Sequence, residues 1–70
     1  MRLSTRNQLT GTIDDIQPGS VMTVVRVSLD GGQQITASIT KDAADDLGLS
    51  VGQHATVLVK STEVMIGVED

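Results

Sequence analysis

Val21-Met22-Thr23-Val24-Val25-Arg26-Val27-Ser28-Leu29-Asp30-Gly31-Gly32-Gln33-Gln34-Ile35-Thr36-Ala37-Ser38-Ile39-Thr40-Lys41-Asp42-Ala43-Ala44-Asp45-Asp46-Leu47-Gly48 is the stretch that decides the fold. Residues 21–29 alternate, with Val21, Val25, Val27 and Leu29 on one face and Met22, Val24, Arg26 and Ser28 on the other. Apolar side chains on both faces of the first half predict a strand covered twice. Asp30-Gly31-Gly32 is a hairpin signal, since glycine accepts the positive φ of tight hairpin turns. Gln33 to Thr40 returns as a strand with Ile35, Ala37 and Ile39 inward and Gln34, Thr36, Ser38 and Thr40 on the polar face. The period then changes. Lys41 to Leu47 is rich in helix formers, Thr40 can cap the first turn, and Gly48 stands where a left-handed stop belongs. Ala43, Ala44 and Leu47 form a short apolar stripe. A helix of about two turns is too short to hold without tertiary packing.

Upstream, Gln8 to Ile16 carries Leu9, Gly11 and Ile13 at alternate positions, a half-buried strand with Gly11 as the candidate bulge. Pro18-Gly19-Ser20 makes the next turn, because Pro presets φ and Gly accepts positive values. Downstream, Val51-Gly52 turns the chain into a strand over Ala55–Lys60, with Ala55, Val57 and Val59 on one face. Ser61-Thr62-Glu63 is a tight connection, and Val64 to Val68 is the expected last strand. The order β-β-β-α-β-β predicts an all-β, five-stranded OB-like barrel with one short helix between the third and fourth strands. An Sm-like or SH3-like barrel is the nearest competitor. No linker, internal repeat or low-complexity tract interrupts residues 1–70, which read as a single domain.

Composition narrows the possibilities further. Seventy residues supply only a thin core, and small units of this kind rely on disulfides, metals or oligomerisation. The chain has no cysteine, one histidine and no aromatic residue, which excludes disulfides and thiolate metal sites and leaves oligomerisation as the route. With 39% hydrophobic and 20% charged residues spaced along the chain, it should fold. Apolar runs fall far short of a membrane span, and Met1-Arg2-Leu3-Ser4 opens no signal-length apolar region, so a soluble cytoplasmic protein without a membrane partner is expected. A net charge of −4 disfavours a nucleic-acid partner gripped through phosphates. The missing aromatics disfavour single-strand binding by base stacking.

Enzyme constellations are thin. Asp14-Asp15 and Asp45-Asp46 are adjacent pairs, and neighbours on a regular strand point to opposite faces, so Asp14 and Asp15 should not share a site. His54 follows a turn with no nucleophile pattern around it and reads as a surface or edge residue. Gly31-Gly32 joins two strands instead of opening a helix, unlike a phosphate loop. The three methionines suit packing or interfaces. Two polar segments differ in kind: Ser4-Thr5-Arg6-Asn7-Gln8 and Lys60-Ser61-Thr62. Both cluster hydroxyl, amide, guanidinium or ammonium donors, the chemistry that suits an oxyanion. Thr40 adds a hydroxyl beside the free N–H groups of a helix start. Such residues are also ordinary caps and turn formers.

These segments carry a family resemblance. Ser4-Thr5-Arg6-Asn7-Gln8-Leu9 with Gly11, Ile39-Thr40 leading to Leu47-Gly48-Leu49, and Val59-Lys60-Ser61-Thr62-Glu63-Val64-Met65-Ile66 resemble a molbindin. That family is the stand-alone molybdate-binding form of the Mop/TOBE domain, an OB-fold variant, and the similarity covers essentially the whole chain. The resemblance implies binding of molybdate, or tungstate, as an intact oxyanion at subunit interfaces, without a further cofactor or a coordinated metal cation. It implies a homo-oligomer, a hexamer built as a trimer of dimers with a strand exchanged between paired protomers. Carried over by position, the ligand would be held by Ser4, Arg6 and Asn7, by Thr40 and the backbone N–H of Ala43, and by Lys60 and Ser61. Some relatives have Ser at the Ala43 position, so no hydroxyl is supplied there. Thr5 replaces a common Ala and is expected to point away from the ligand. The two terminal motifs are expected to come from different protomers.

Molybdate is a tetrahedral dianion with four acceptor oxygens and no proton at neutral pH, so a site made only of donors favours it over protonated phosphate. The sequence therefore reads as a non-enzymatic protein that stores or buffers molybdate in the cytoplasm. The alternative is a TOBE-like regulatory or interaction module acting with a molybdate transporter or a transcription regulator. Met1 to Asp70 includes neither partner domain, so such a module would act in trans.

Overall fold

The computed structural model describes residues 1–70. Strand β1 spans Asn7–Pro18, β2 Met22–Leu29 and β3 Gln34–Thr40; helix α1 spans Lys41–Leu47, strand β4 His54–Val59, and a single 3-10 turn covers Ser61–Glu63. The four strands form one antiparallel sheet in the order β3-β2-β1-β4. Strand β1, twelve residues long, serves two partners. Its first half pairs with β4, from Asn7 opposite Val59 to Thr12 opposite His54, and its second half pairs with β2. Only Gly11 and Thr12 pair on both sides, so the sheet curls about that point into a half-barrel.

The period-2 alternation places Ile13, Val25 and Val27 in the core, with Ile16, Leu29, Ile39, Leu49, Ala55 and Val57 packed around them. Gly11 is not the bulge. It sits against β2: a Cβ there would collide with the Ser28 carbonyl oxygen and lie 2.9 Å from Val27 Cγ1. The register shift falls between Ile13 and Asp15, so Asp14 is the extra residue. A bulge breaks the alternation of faces. As a result Asp14 and Asp15, expected on opposite faces, both meet Arg26, at 3.5 Å and 3.6 Å. Asp14 also accepts hydrogen bonds from the Ser28 hydroxyl and from Gln34 Nε2, the latter at 3.0 Å.

Helix α1 begins as the sequence requires: the Ala43 N–H donates to Thr40 Oγ1 at 3.1 Å. It ends at Gly48, φ 62° and ψ 43°, whose N–H reaches the carbonyls of Ala44 and Asp45. Its inward contact is Ala44. Leu47, expected on the buried stripe, is 66% exposed. The left-handed turn at Gly48 redirects the chain, and Leu49 enters the core instead.

Two further expectations differ from what the single chain shows. Met22 and Val24 point outward and are not covered. Val64–Val68 is not a strand and pairs with none of the chain's strands; Met65, Ile66 and Val68 stand almost fully in solvent. A strand needs a partner edge, and the 3-10 turn at Ser61–Glu63 leads the tail away from its own sheet. The accessible surface is 5510 Å². A compact monomer of this mass would expose about 4,200 Å², so the chain shows roughly 1,300 Å² too much. No helix is long and apolar enough to cross a membrane.

Candidate oxyanion site

Pairing of Asn7 with Val59 brings the residues before β1 next to those after β4. Asn7 Nδ2 reinforces that junction by donating to the Val59 carbonyl at 3.0 Å. Gln8 Nε2 holds the Thr5 carbonyl at 2.7 Å and fixes the approach of the N-terminal segment. Beyond β4 the chain closes one 3-10 turn, with the Glu63 N–H donating to the Lys60 carbonyl at 2.9 Å. These constraints leave an open recess of about 440 Å³ lined by Ser4, Thr5, Arg6, Leu58, Lys60, Ser61 and Thr62.

Its chemistry is one-sided. Two of its residues are cations, four carry hydroxyls, one is apolar, and none is a carboxylate. Of the five Lys and Arg residues, Arg26 and Lys41 are engaged by aspartates of the chain, whereas Arg6 and Lys60 take part in no ion pair. Two uncommitted cations facing one recess repel each other, and a bound anion relieves that repulsion. The hydroxyls supply neutral donors that set shape, while the cations supply charge-assisted bonds.

Four of the seven expected ligand residues, Ser4, Arg6, Lys60 and Ser61, therefore lie around one recess. Within a single chain the two terminal motifs already lie side by side, because β1 and β4 are neighbours. Thr5 and Thr62 are also among the residues around the recess; the alternating pattern could not reveal either, since both lie outside the strands. Asn7 is half-buried and committed to Val59. Thr40 and Ala43 stand apart. Thr40 pairs with Met22, beside the Pro18 end of β1, whereas the recess lies at the Asn7 end. The Ala43 N–H is already donated to Thr40 Oγ1, so it is committed within the chain, whereas the hydroxyl proton of Thr40 is free to be donated. His54 is exposed at the start of β4, and no cluster of three metal-ligating side chains exists.

A curled four-stranded antiparallel half-barrel with one capped helix places the chain among small, mostly β domains. Residues 3–66 match the TOBE domain, and the chain belongs to that family. The chain is 41% identical to molybdenum-pterin-binding protein 2 of Clostridium pasteurianum, over 94% of this chain and 97% of that one. A solved structure of a molybdate-binding protein from Sporomusa ovata superposes with a TM-score of 0.91 at 37% identity, covering 97% of this chain and all of the other. The cytoplasmic molybdate-binding protein ModG, solved with molybdate bound, gives 0.92 at 43% identity, covering 99% of this chain and 49% of its own. The chain spans about a quarter of the length of the longer curated relatives it matches and nearly all of the shorter ones.

Proposed function

We propose that this protein binds molybdate, or tungstate, as an intact dianion and serves as a cytoplasmic store of it, without catalysis and without a further cofactor. The observation that carries the reading is the recess at the Asn7 end of the sheet, which holds Arg6 and Lys60 unpaired among hydroxyls and offers no carboxylate acceptor. Relatives of the same length that bind molybdate or carry molybdenum in their names support it. Residues 1–70 act as one domain. Ser4, Arg6, Lys60 and Ser61 form the donor set of one chain, with Asn7 bracing it. Thr40 and the start of α1 are brought to the anion by another copy.

The assembly is a homo-oligomer, a hexamer made as a trimer of dimers, in which Val64–Val68 is exchanged as the fifth strand. The surplus of accessible surface, the exposed apolar tail and the free edge of β3 support this. Each excess of about 1,300 Å² is more than the roughly 800 Å² per partner of a standard interface. No nucleic-acid or membrane partner enters the reading. Titration calorimetry with molybdate, tungstate, sulfate and phosphate, together with native mass spectrometry, tests it. Saturable molybdate binding by a hexamer is expected; no preference for molybdate over phosphate would sink the reading. The longer relatives, of which the domain is only a quarter, favour a second one: a regulatory module acting with a molybdate transporter or a transcription regulator.

A further inference from the structure

The two sides of the recess are held very unequally. Lys60–Thr62 follows β4 directly and closes its 3-10 turn, with the Glu63 N–H on the Lys60 carbonyl. The other side, Ser4–Arg6, belongs to a terminal arm that precedes β1. Residues 1–6 take part in no backbone–backbone hydrogen bond, and Arg2 and Arg6 form no ion pair. One hydrogen bond ties the arm to the sheet: Gln8 Nε2 donates to the Thr5 carbonyl at 2.7 Å.

Gln8 is exposed on β1, opposite Leu58 of β4, and its carboxamide serves no other partner. An exposed glutamine is ordinary, and one hydrogen bond open to water adds little to folding. What distinguishes this one is the segment it holds. An arm without it samples many conformations, and a ligand that needs Ser4 and Arg6 in place bears the ordering cost on binding. The bond also has a chemical effect. Thr5 is among the residues around the recess, so its carbonyl is an acceptor beside a set of donors. Occupied by Gln8, that oxygen is spoken for. Left free, it repels a bare dianion and accepts from an anion that carries a proton.

We propose that Gln8 is a positioning residue of the oxyanion site: its carboxamide latches the Thr5 carbonyl, holds Ser4 and Arg6 in the binding arrangement, and sharpens the preference for an unprotonated anion. The inference rests on the molybdate reading above and names a specificity determinant of that same recess.

Gln8→Met keeps a side chain of similar length and removes the donor. Nothing else in the chain depends on that amide, so the variant should fold, as far-UV circular dichroism checks. Calorimetric titration with molybdate near neutral pH, with phosphate read by competition, compares a proton-free anion with one that carries a proton. Molybdate should bind roughly three- to tenfold more weakly to Gln8→Met, the range expected for one neutral hydrogen bond. Phosphate should lose less, so the preference for molybdate should fall at least about twofold. Equal weakening of both anions, which a purely structural role would give, overturns the proposal, as do unchanged constants. Backbone NMR relaxation on the anion-free proteins reads the latch directly. Order parameters of Ser4, Thr5 and Arg6 should fall, to below about 0.6, in Gln8→Met while those of Lys60–Thr62 stay as in wild type. An arm equally ordered in both proteins overturns the latch. Because relaxation needs no anion, a wild type that binds no molybdate, with an arm that loosens as expected in the variant, refutes the oxyanion reading and supports the latch.

Discussion

Removing the ammonium of Lys60 isolates the electrostatic half of the proposed site. Lys60 has no ion pair and no side-chain hydrogen bond in its own chain, so Lys60→Ala breaks nothing that holds the fold. Its carbonyl, which accepts from the Glu63 N–H, is retained by alanine. Stability should move by no more than about 0.5 kcal/mol, the usual range for such surface changes. Binding should change far more. A hydrogen bond to a charged group contributes about 1.5–3 kcal/mol, which corresponds to roughly 13- to 160-fold in dissociation constant. The upper half of that range is favoured by the recess itself, where Arg6 would be the one remaining cation. Calorimetric titration of wild type and Lys60→Ala with molybdate, at equal ionic strength and with unfolding curves run in parallel, measures both quantities. Lys60→Arg, which keeps the charge, should retain more affinity than alanine. If Lys60→Ala binds within twofold of wild type while folding normally, the assignment of the recess as the anion site is wrong.

Three other outcomes follow from the packing. Thr23 is buried at 2% exposure and its hydroxyl has no partner, so Thr23→Val, which keeps the shape, should stabilise the protein by about 1 kcal/mol; a lower denaturant midpoint would contradict this. Gly11→Ala should cost about 1–3 kcal/mol or prevent folding, because the new methyl group meets the Ser28 carbonyl of the neighbouring strand; an unchanged melting temperature would refute the close contact. Deleting Val64–Asp70 should lower the subunit count seen by native mass spectrometry while leaving the far-UV strand signal, since that tail pairs with nothing in its own chain; an intact hexamer would exclude the exchanged strand.

Most of the secondary structure was legible because local chemistry decides it. Alternation in 21–29 and 33–40, the Asp30-Gly31-Gly32 turn, the Thr40 cap and the Gly48 stop all express preferences that act within a few residues, and each stands close to where those preferences put it. The bulge was misplaced for an instructive reason. Gly11 carries the composition of a bulge, yet its lack of a side chain serves a close approach to β2, and the extra residue is Asp14. Nothing local marks Asp14, since the slip is set by which β2 residues must face the core. For the same reason the Asp14–Asp15–Arg26 cluster was invisible to a rule of alternating faces.

By itself the sequence determined the donor types available, the absence of thiols and aromatics, and the approximate spans of four strands and the helix. It could not say which of its polar segments are neighbours. That was decided by β1 being long enough to pair with β4 along one half and β2 along the other, which sets Ser4–Arg6 beside Lys60–Thr62 and leaves Thr40 at the opposite end. Strand pairing joins residues about fifty positions apart through backbone hydrogen bonds that carry no residue identity, so proximity of this kind belongs to the tertiary structure alone.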